Sequence, residues 1–194
     1  MSIRAAPFQR AFDLAIAVPA SAVVAVPCLI LLVAIRLESP GNPLFIQERV
    51  GRNRKVFRIL KLRTMRPGTL NAASHEVGAA AITRLGAILR RLKLDELPQL
   101  WNVVRGHMSL VGPRPCLPGQ HELIEARSRL DLYAIRPGIT GPAQIDGIDM
   151  SDPARLAARE HAYFSAARPP FDWPVLVQTF TGSGRGDAAA RAAE

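Results

Sequence analysis

Positions 14–35 read LAIAVPASAVVAVPCLILLVAI, 22 residues without a charge, in which only Pro19, Ser21 and Pro27 fall outside the hydrophobic set. A helix of ~20 such residues matches the hydrocarbon thickness of a bilayer. Three readings of this run compete. A cleaved signal peptide would use Arg4 and Arg10 as its basic start, but Asp13 abuts the apolar run and the run is long for one. A plain transmembrane span fits by length. Its flanks fit less well: Arg4 and Arg10 precede it and Arg36, Arg49, Arg52, Arg54, Lys55 and Arg58 follow, so both sides ask to be cytoplasmic. A re-entrant helix that enters and leaves by one face satisfies both flanks, and Pro27 near its middle removes a backbone donor and bends it. The milder reading of Pro27 is a kink in a spanning helix.

After position 36 the apolar spacing shortens. The cluster Ser39-Pro40-Gly41-Asn42-Pro43 marks a turn. Phe45-Ile46-Gln47 and positions 56–63 are short β-branched and aromatic runs on either side of Gly51-Arg52-Asn53-Arg54, which predicts a small hairpin. In the second run cations alternate with apolar residues, putting Lys61 and Arg63 on one face with Phe57 and Ile59. For either cation taken singly, a solvated strand face is the plainer reading. Positions 67–81 form a small-residue loop. Thr83 is expected to cap a helix with Leu85, Ile88, Leu89 and Leu92 on one face and Arg84, Arg90, Arg91 and Lys93 elsewhere, as on a membrane surface or an ordinary exposed helix.

Asp95 is expected to cap the next helix, with Pro98 in its first turn and Gly106 as its stop. The prolines of MSLVGPRP at 108–115 bar a helix and predict a rigid extended loop, and RPGITGP at 136–142 reads as another. Helices are expected over 119–133 and 154–167, an apolar stretch over 173–180, and a disordered tail over 182–194. The fold class predicted is α+β, mainly helical: an N-terminal membrane helix, then a body of amphipathic helices, a β-hairpin and Pro/Gly-rich loops.

Composition and charge sharpen this picture. The chain has 194 residues, 25 Lys+Arg against 16 Asp+Glu and a net charge of +9, with a mean hydropathy of +0.10. Without the 14–35 run the hydrophobic share falls from 48% to about 43%, ordinary for a water-facing domain. Membrane character and basic charge therefore belong to different parts. Two cysteines, Cys28 and Cys116, make no disulfide scaffold and point to a reducing compartment. Only 6% of residues are aromatic and they do not interleave with the basic ones, which argues against a nucleic-acid partner.

Candidate chemistry gathers at Asp95-Glu96, which follows Arg90-Arg91-Leu92-Lys93. Composition alone favours a helix cap. The functional reading needs an ionised carboxylate, and a helix N-terminus with nearby cations is expected to lower the pKa of Asp95 and keep it charged. Such an aspartate can coordinate Mg²⁺ or attack phosphorus. Arg114, held between Pro113 and Pro115, and Arg136, in RPGITG, present forked donors suited to phosphate. His75, His107, His121 and His161 lack metal-ligand spacing, and no P-loop, GxGxxG turn or catalytic triad order is present.

These blocks carry a resemblance. Gln9-Arg10-Ala11-Phe12-Asp13, the apolar run with its internal proline, GNPLFIQERVG, VFRILKLRTM, LDELPQLWNVVRGHMSLVGPRP and RPGITGPAQIDG resemble the bacterial sugar transferases, small monotopic polyprenol-phosphate phosphoglycosyl transferases, from about position 8 to 180. The resemblance implies transfer of a sugar 1-phosphate from a UDP-sugar to polyprenyl (undecaprenyl) phosphate with release of UMP, starting a bacterial surface glycan. It implies Asp95 as nucleophile through a covalent phosphosugar-aspartate, Glu96 assisting, and Mg²⁺ held by the two. It further implies Arg114, Arg90, Lys61, Arg63 and Arg136 as phosphate-side cations. The apolar run becomes a re-entrant helix broken at Pro27 on the cytoplasmic face of the inner membrane, with partition into 1–36 (membrane), 37–181 (catalytic) and 182–194 (tail). Val26, Ile148 and Glu160 depart from the family's usual residues, and the sugar and oligomeric state stay open. A non-enzymatic membrane-anchored adaptor with a basic face is the rival reading, though it gives no reason for Asp95-Glu96 to sit among arginines.

Overall fold

The computed structural model describes residues 8–69, 81–166 and 172–181. The loop expected over 67–81 and the tail over 182–194 lie largely or wholly outside them, as does His75.

Helix α1 (Gln9–Glu38) is one uninterrupted helix of 30 residues, roughly 45 Å long. Its middle is exposed apolar surface: Val23 is 74%, Leu29 62% and Ile30 64% exposed. Pro19 and Pro27 both lie inside it, so the helix expected to break at Pro27 continues through it. Each proline removes one backbone donor, and the turns on either side keep theirs.

Both ends of α1 are fastened to the rest of the molecule. Near its start Arg10 donates to the carbonyls of Val103 (2.6 Å) and Val104 (2.9 Å). Asp13, 2% exposed, accepts from the Ser109 hydroxyl and the Leu110 N–H, each at 3.0 Å. Ala17 is buried in the main core. Near its end Ile35 packs with Leu62 and Leu89, and Glu38 accepts from the Leu85 N–H at 2.9 Å.

The predicted hairpin forms. Strands β1 (Leu44–Val50) and β2 (Val56–Leu62) pair antiparallel from Leu44 opposite Leu62 to Val50 opposite Val56. Asn53 and Arg54 take positive φ of 55° and 59° in the turn. Thr83 caps helix α2 (Arg84–Arg91) as expected, its hydroxyl accepting from the Gly86 N–H at 2.9 Å.

The next expectation fails in detail. Asp95 does not cap a helix running to Gly106. Lys93 adopts the left-handed conformation (φ 56°), Leu94–Glu96 form a 3₁₀ turn, and helix α3 (Gln99–Val104) begins only after Pro98. An aspartate cap would accept from an N–H two or three residues ahead. Leu97 already donates to Leu94, and Pro98 has no N–H to offer. Gly106 does end the helix, at φ 81°.

The two proline-rich segments are more than loops. Ser109–Val111 (β3) and Gly138–Thr140 (β4) pair parallel. Both are too short and too buried to show alternation. The chains approach so closely after β3 that a Cβ on Gly138 would stand 2.1 Å from the Gly112 nitrogen, a contact only glycine permits. Helices α4 (His121–Arg129), α5 (Pro142–Ile145), α6 (Pro153–Ser165) and α7 (Trp173–Thr181) complete the body. The main core joins Ala17 of α1, Ile59 of β2, Val103 of α3, Val111 of β3, Phe164 of α6 and Val175 of α7.

Candidate functional site

The carboxylates Asp95 and Glu96 sit where the α2–α3 connection folds back on β2. The reversal comes from Lys93, whose left-handed backbone is sparsely populated for a residue with a Cβ. The strand is docked by Asn102 of α3, which is 2% exposed. Its Oδ1 accepts from the Leu60 N–H at 3.0 Å and its Nδ2 donates to the Arg58 carbonyl at 2.8 Å. These two bonds satisfy the free edge of β2 on either side of Ile59 and bring Lys61 to the dyad. On the other side, the Gly86 backbone lies against the Thr64 carbonyl, and Arg90 Nε donates to the Thr64 hydroxyl at 2.9 Å.

Glu96 is held by two cations on one oxygen. Lys61 Nζ donates to Oε1 at 2.8 Å and Arg114 Nη2 donates to the same atom at 3.2 Å. Burial alone would push this carboxyl up; Lys61 and Arg114 reverse that and hold it at about 2. Asp95, 8% exposed, behaves oppositely. Burial pushes it up to about 6, with Glu96 adding to the rise and Lys61, Arg90 and Arg114 opposing it. The direction expected from the sequence, a lowered pKa, is therefore reversed: desolvation outweighs the cations, and there is no helix N-terminus at Asp95. A carboxyl of pKa about 6 is still mainly ionised at neutral pH. The dyad thus pairs an anchored Glu96, held ionised by its two cations, with a buried, more basic Asp95.

Arg114 reaches the dyad from the Gly112-Pro113-Arg114-Pro115 segment, where buried groups fix the main chain. Arg127 of α4 donates Nη1 to the Arg114 carbonyl at 2.8 Å, and its Nε and Nη2 form a fork with Glu160 of α6 at 2.8 and 2.6 Å. Both partners are 2% exposed or less. The Val50 N–H donates to the Cys116 carbonyl at 2.9 Å, tying the segment to β1.

Of the cations expected at phosphates, Lys61, Arg90 and Arg114 surround the dyad. Arg63 and Arg136 are engaged elsewhere. Arg63 follows β2 and turns to the C-terminal end of α1, donating Nη2 to the Ser39 carbonyl and hydroxyl at 2.7 Å and Nη1 to the Pro40 carbonyl at 2.9 Å. Strand periodicity put it beside Lys61, but it lies past the last paired residue, where alternation no longer governs. Arg136 donates Nε to the Gly106 carbonyl at 2.9 Å, at the end of α3 remote from the dyad. Helix C-termini attract cations, which accounts for both. Lys93, whose charge also lowers Glu96, was missed. Its signal was adjacency to the dyad.

The donor set suits a hard divalent cation. Mg²⁺ commonly takes one or two carboxylates and fills its shell with water and substrate phosphate oxygens, and Asp95-Glu96 offers two adjacent carboxylates. Among the described residues no cluster of three or more His, Cys, Asp or Glu could form an all-protein metal cage.

A family profile described as bacterial sugar transferase matches residues 4–185. The UDP-glucose:undecaprenyl-phosphate glucose-1-phosphate transferase of Caulobacter vibrioides is 44% identical over 72% of the chain and 54% of its own length. The exopolysaccharide production protein PSS of Rhizobium leguminosarum bv. phaseoli is 42% identical over 78% of the chain and 80% of its own length. The UDP-N-acetylgalactosamine-undecaprenyl-phosphate N-acetylgalactosaminephosphotransferase of Aeromonas hydrophila is 39% identical over 64% of the chain and 32% of its own length. The chain thus spans about half of the first relative and a third of the last. With nearly all of its length matched by the family profile, the chain belongs to the bacterial sugar transferase family.

Proposed function

We propose that the chain is a membrane phosphoglycosyl transferase that moves a sugar 1-phosphate from a UDP-sugar to undecaprenyl phosphate, releasing UMP. The observation that carries this reading is the site's charge pattern. A buried Asp95 and a half-buried Glu96 are ringed by Lys61, Arg90, Lys93 and Arg114, whose charges act on them, an excess of cations suited to diphosphate substrates. Relatives named for undecaprenyl-phosphate sugar-phosphate transfer support the substrate class.

In the proposed chemistry an Asp95 carboxylate oxygen attacks the sugar-side phosphorus. The bond from that phosphorus to the bridging oxygen breaks, and UMP departs with the electron pair. The phosphosugar-aspartate is then attacked by an oxygen of the lipid phosphate, which restores the carboxylate and forms the lipid diphosphate sugar. Burial makes Asp95 the more basic carboxylate, as a nucleophile requires, while Glu96, held by Lys61 and Arg114, orients those cations toward the phosphates. Asp95 and Oε2 of Glu96 would hold Mg²⁺, which when bound neutralises charge on the diphosphate.

The re-entrant arrangement belongs to the same proposal. Residues 10–17 of the apolar helix, Ile35 near its end and the following Ser39 all touch the same body, contacts that favour one-sided insertion over a span. A helix dipping into the cytoplasmic leaflet brings the lipid phosphate to a basic site facing the cytoplasm. The reading treats 1–36 as the membrane unit and 37–181 as the catalytic one. The relatives are named for different sugars, glucose and N-acetylgalactosamine, so the donor is left as a class. Membranes carrying the protein, given undecaprenyl phosphate, Mg²⁺ and a panel of UDP-sugars, should release UMP from at least one. Release from none, or repeated turnover by protein purified free of the lipid, rejects the proposal.

A further inference from the structure

Arg49, near the end of β1 opposite Phe57, was not among the residues that the sequence singled out for the site, yet its guanidinium bonds the carbonyl next to Arg114 and its charge feels both Arg114 and Glu96. Its Nη1 donates to the Pro115 carbonyl at 3.1 Å and its Nη2 donates to Gln47 Oε1. Its Nε is buried and has no hydrogen-bond partner among the described residues. Neither of its hydrogen-bond partners is a carboxylate. The charge is costly where it stands: burial, with Arg114 beside it, pushes Arg49 down to about 10 against the pull of Cys116 and Glu96. Glu96 already takes its two bonds from Lys61 and Arg114, so Arg49 brings an additional cation to that pair with no carboxylate bonded to it. Buried charge is stable only when an opposite charge meets it. Arg114, whose side chain is 34% exposed, leaves this corner open to solvent. Two neighbouring arginine forks with an unmet donor match the oxygens of a phosphate better than any neutral group.

We propose that Arg49 and Arg114 form a two-arginine phosphate clamp on the β1 side of the dyad, with Arg49 binding a substrate phosphate directly. The clamp rests on the proposed function for which phosphate it receives, that of the nucleotide diphosphate or that of the isoprenoid lipid. The competing role for Arg49 is mechanical, pinning the Pro115 carbonyl and so the Arg114 segment. Arg49→Gln, whose amide is two bonds too short for that carbonyl, removes both the bond and the charge, so the melting temperature is read beside it: a mechanical role lowers melting along with binding, whereas a lost phosphate contact weakens binding with melting held.

The test uses the full chain in detergent, titrated separately with UDP and with a short-chain isoprenyl monophosphate. The wild type is expected to bind both. Arg49→Gln and Arg49→Met should weaken at least one probe tenfold or more, and the probe affected identifies the phosphate. Arg49→Lys, a point charge in place of a fork, should lose less and also serves if the neutral variants do not fold. Arg129→Gln, on an exposed surface, should leave both affinities within twofold and the melting temperature unchanged. Affinities within twofold of wild type for both probes in Arg49→Gln and Arg49→Met, or unchanged in Arg49→Lys where those two are unfolded, overturn the clamp and leave the proposed function standing. Binding of neither probe by the wild type overturns both.

Discussion

Glu160→Gln exposes how much of the site depends on a buried ion pair far from the surface. The carboxylate of Glu160 meets two donors of Arg127 at 2.6 and 2.8 Å, with both residues 2% exposed or less. The amide of glutamine keeps the shape, supplies one acceptor oxygen, and leaves the arginine charge without its counter-charge. Breaking a buried pair on one side costs about 3–5 kcal/mol. For a chain of this size each kcal/mol lowers the melting temperature by ~2–4 °C, so Glu160→Gln should melt roughly 6–20 °C below wild type in detergent. Removing both charges, Arg127→Met with Glu160→Met, should recover at least half of that loss, since an apolar pair carries no desolvated charge. Activity should not recover with it, because the Arg114 carbonyl has lost the Nη1 donor that fixes it. Scanning calorimetry on the single and double variants, together with UMP release, reads both effects. Melting of Glu160→Gln within 2 °C of wild type would refute the energetic reasoning, and full activity in the stable double variant would refute the positioning role.

Three further predictions concern the dyad and its docking. With Asp95 pushed up to about 6 and required as carboxylate, kcat/KM should fall as pH drops through that value. Glu96→Gln removes a like charge that raises Asp95, so the acid limb of its residual activity should move to lower pH; a shift upward contradicts the assignment. Asn102→Ala leaves the Leu60 N–H and the Arg58 carbonyl without their side-chain partner; at about 1 kcal/mol per lost hydrogen bond, denaturant unfolding should register a loss of more than 1 kcal/mol, and none is the contrary result.

Much of this site was legible in one dimension because its signals are local. Asp95, Glu96, Lys61, Arg90 and Arg114 lie in compact motifs, and the hairpin and Thr83 cap follow from turn and capping chemistry that acts over a few residues. What was not legible depends on contacts between distant segments. The parallel pairing of β3 with β4 requires 109–111 and 138–140 to meet, and nothing in three buried residues marks a parallel strand. Arg63 and Arg136 looked like site cations because cation-rich patterns are alike whether they hold a phosphate or a helix terminus. The reversed pKa direction of Asp95 comes from burial, which is set by packing of α2, α3 and β2 and not by adjacent charges. Arg49 was invisible as a site residue for the same reason, since only the folded β1 brings it to Arg114.

The central claim is that Asp95 carries the transferred group. The protein should be incubated with a competent UDP-sugar in the absence of undecaprenyl phosphate, digested under mild conditions, and the peptide containing Asp95 read by mass spectrometry. The account predicts a mass gain equal to one phosphosugar on that peptide, absent in Asp95→Asn and discharged when the lipid phosphate is added before digestion. An unmodified peptide from enzyme that turns over fully, or an adduct on another residue, would contradict it.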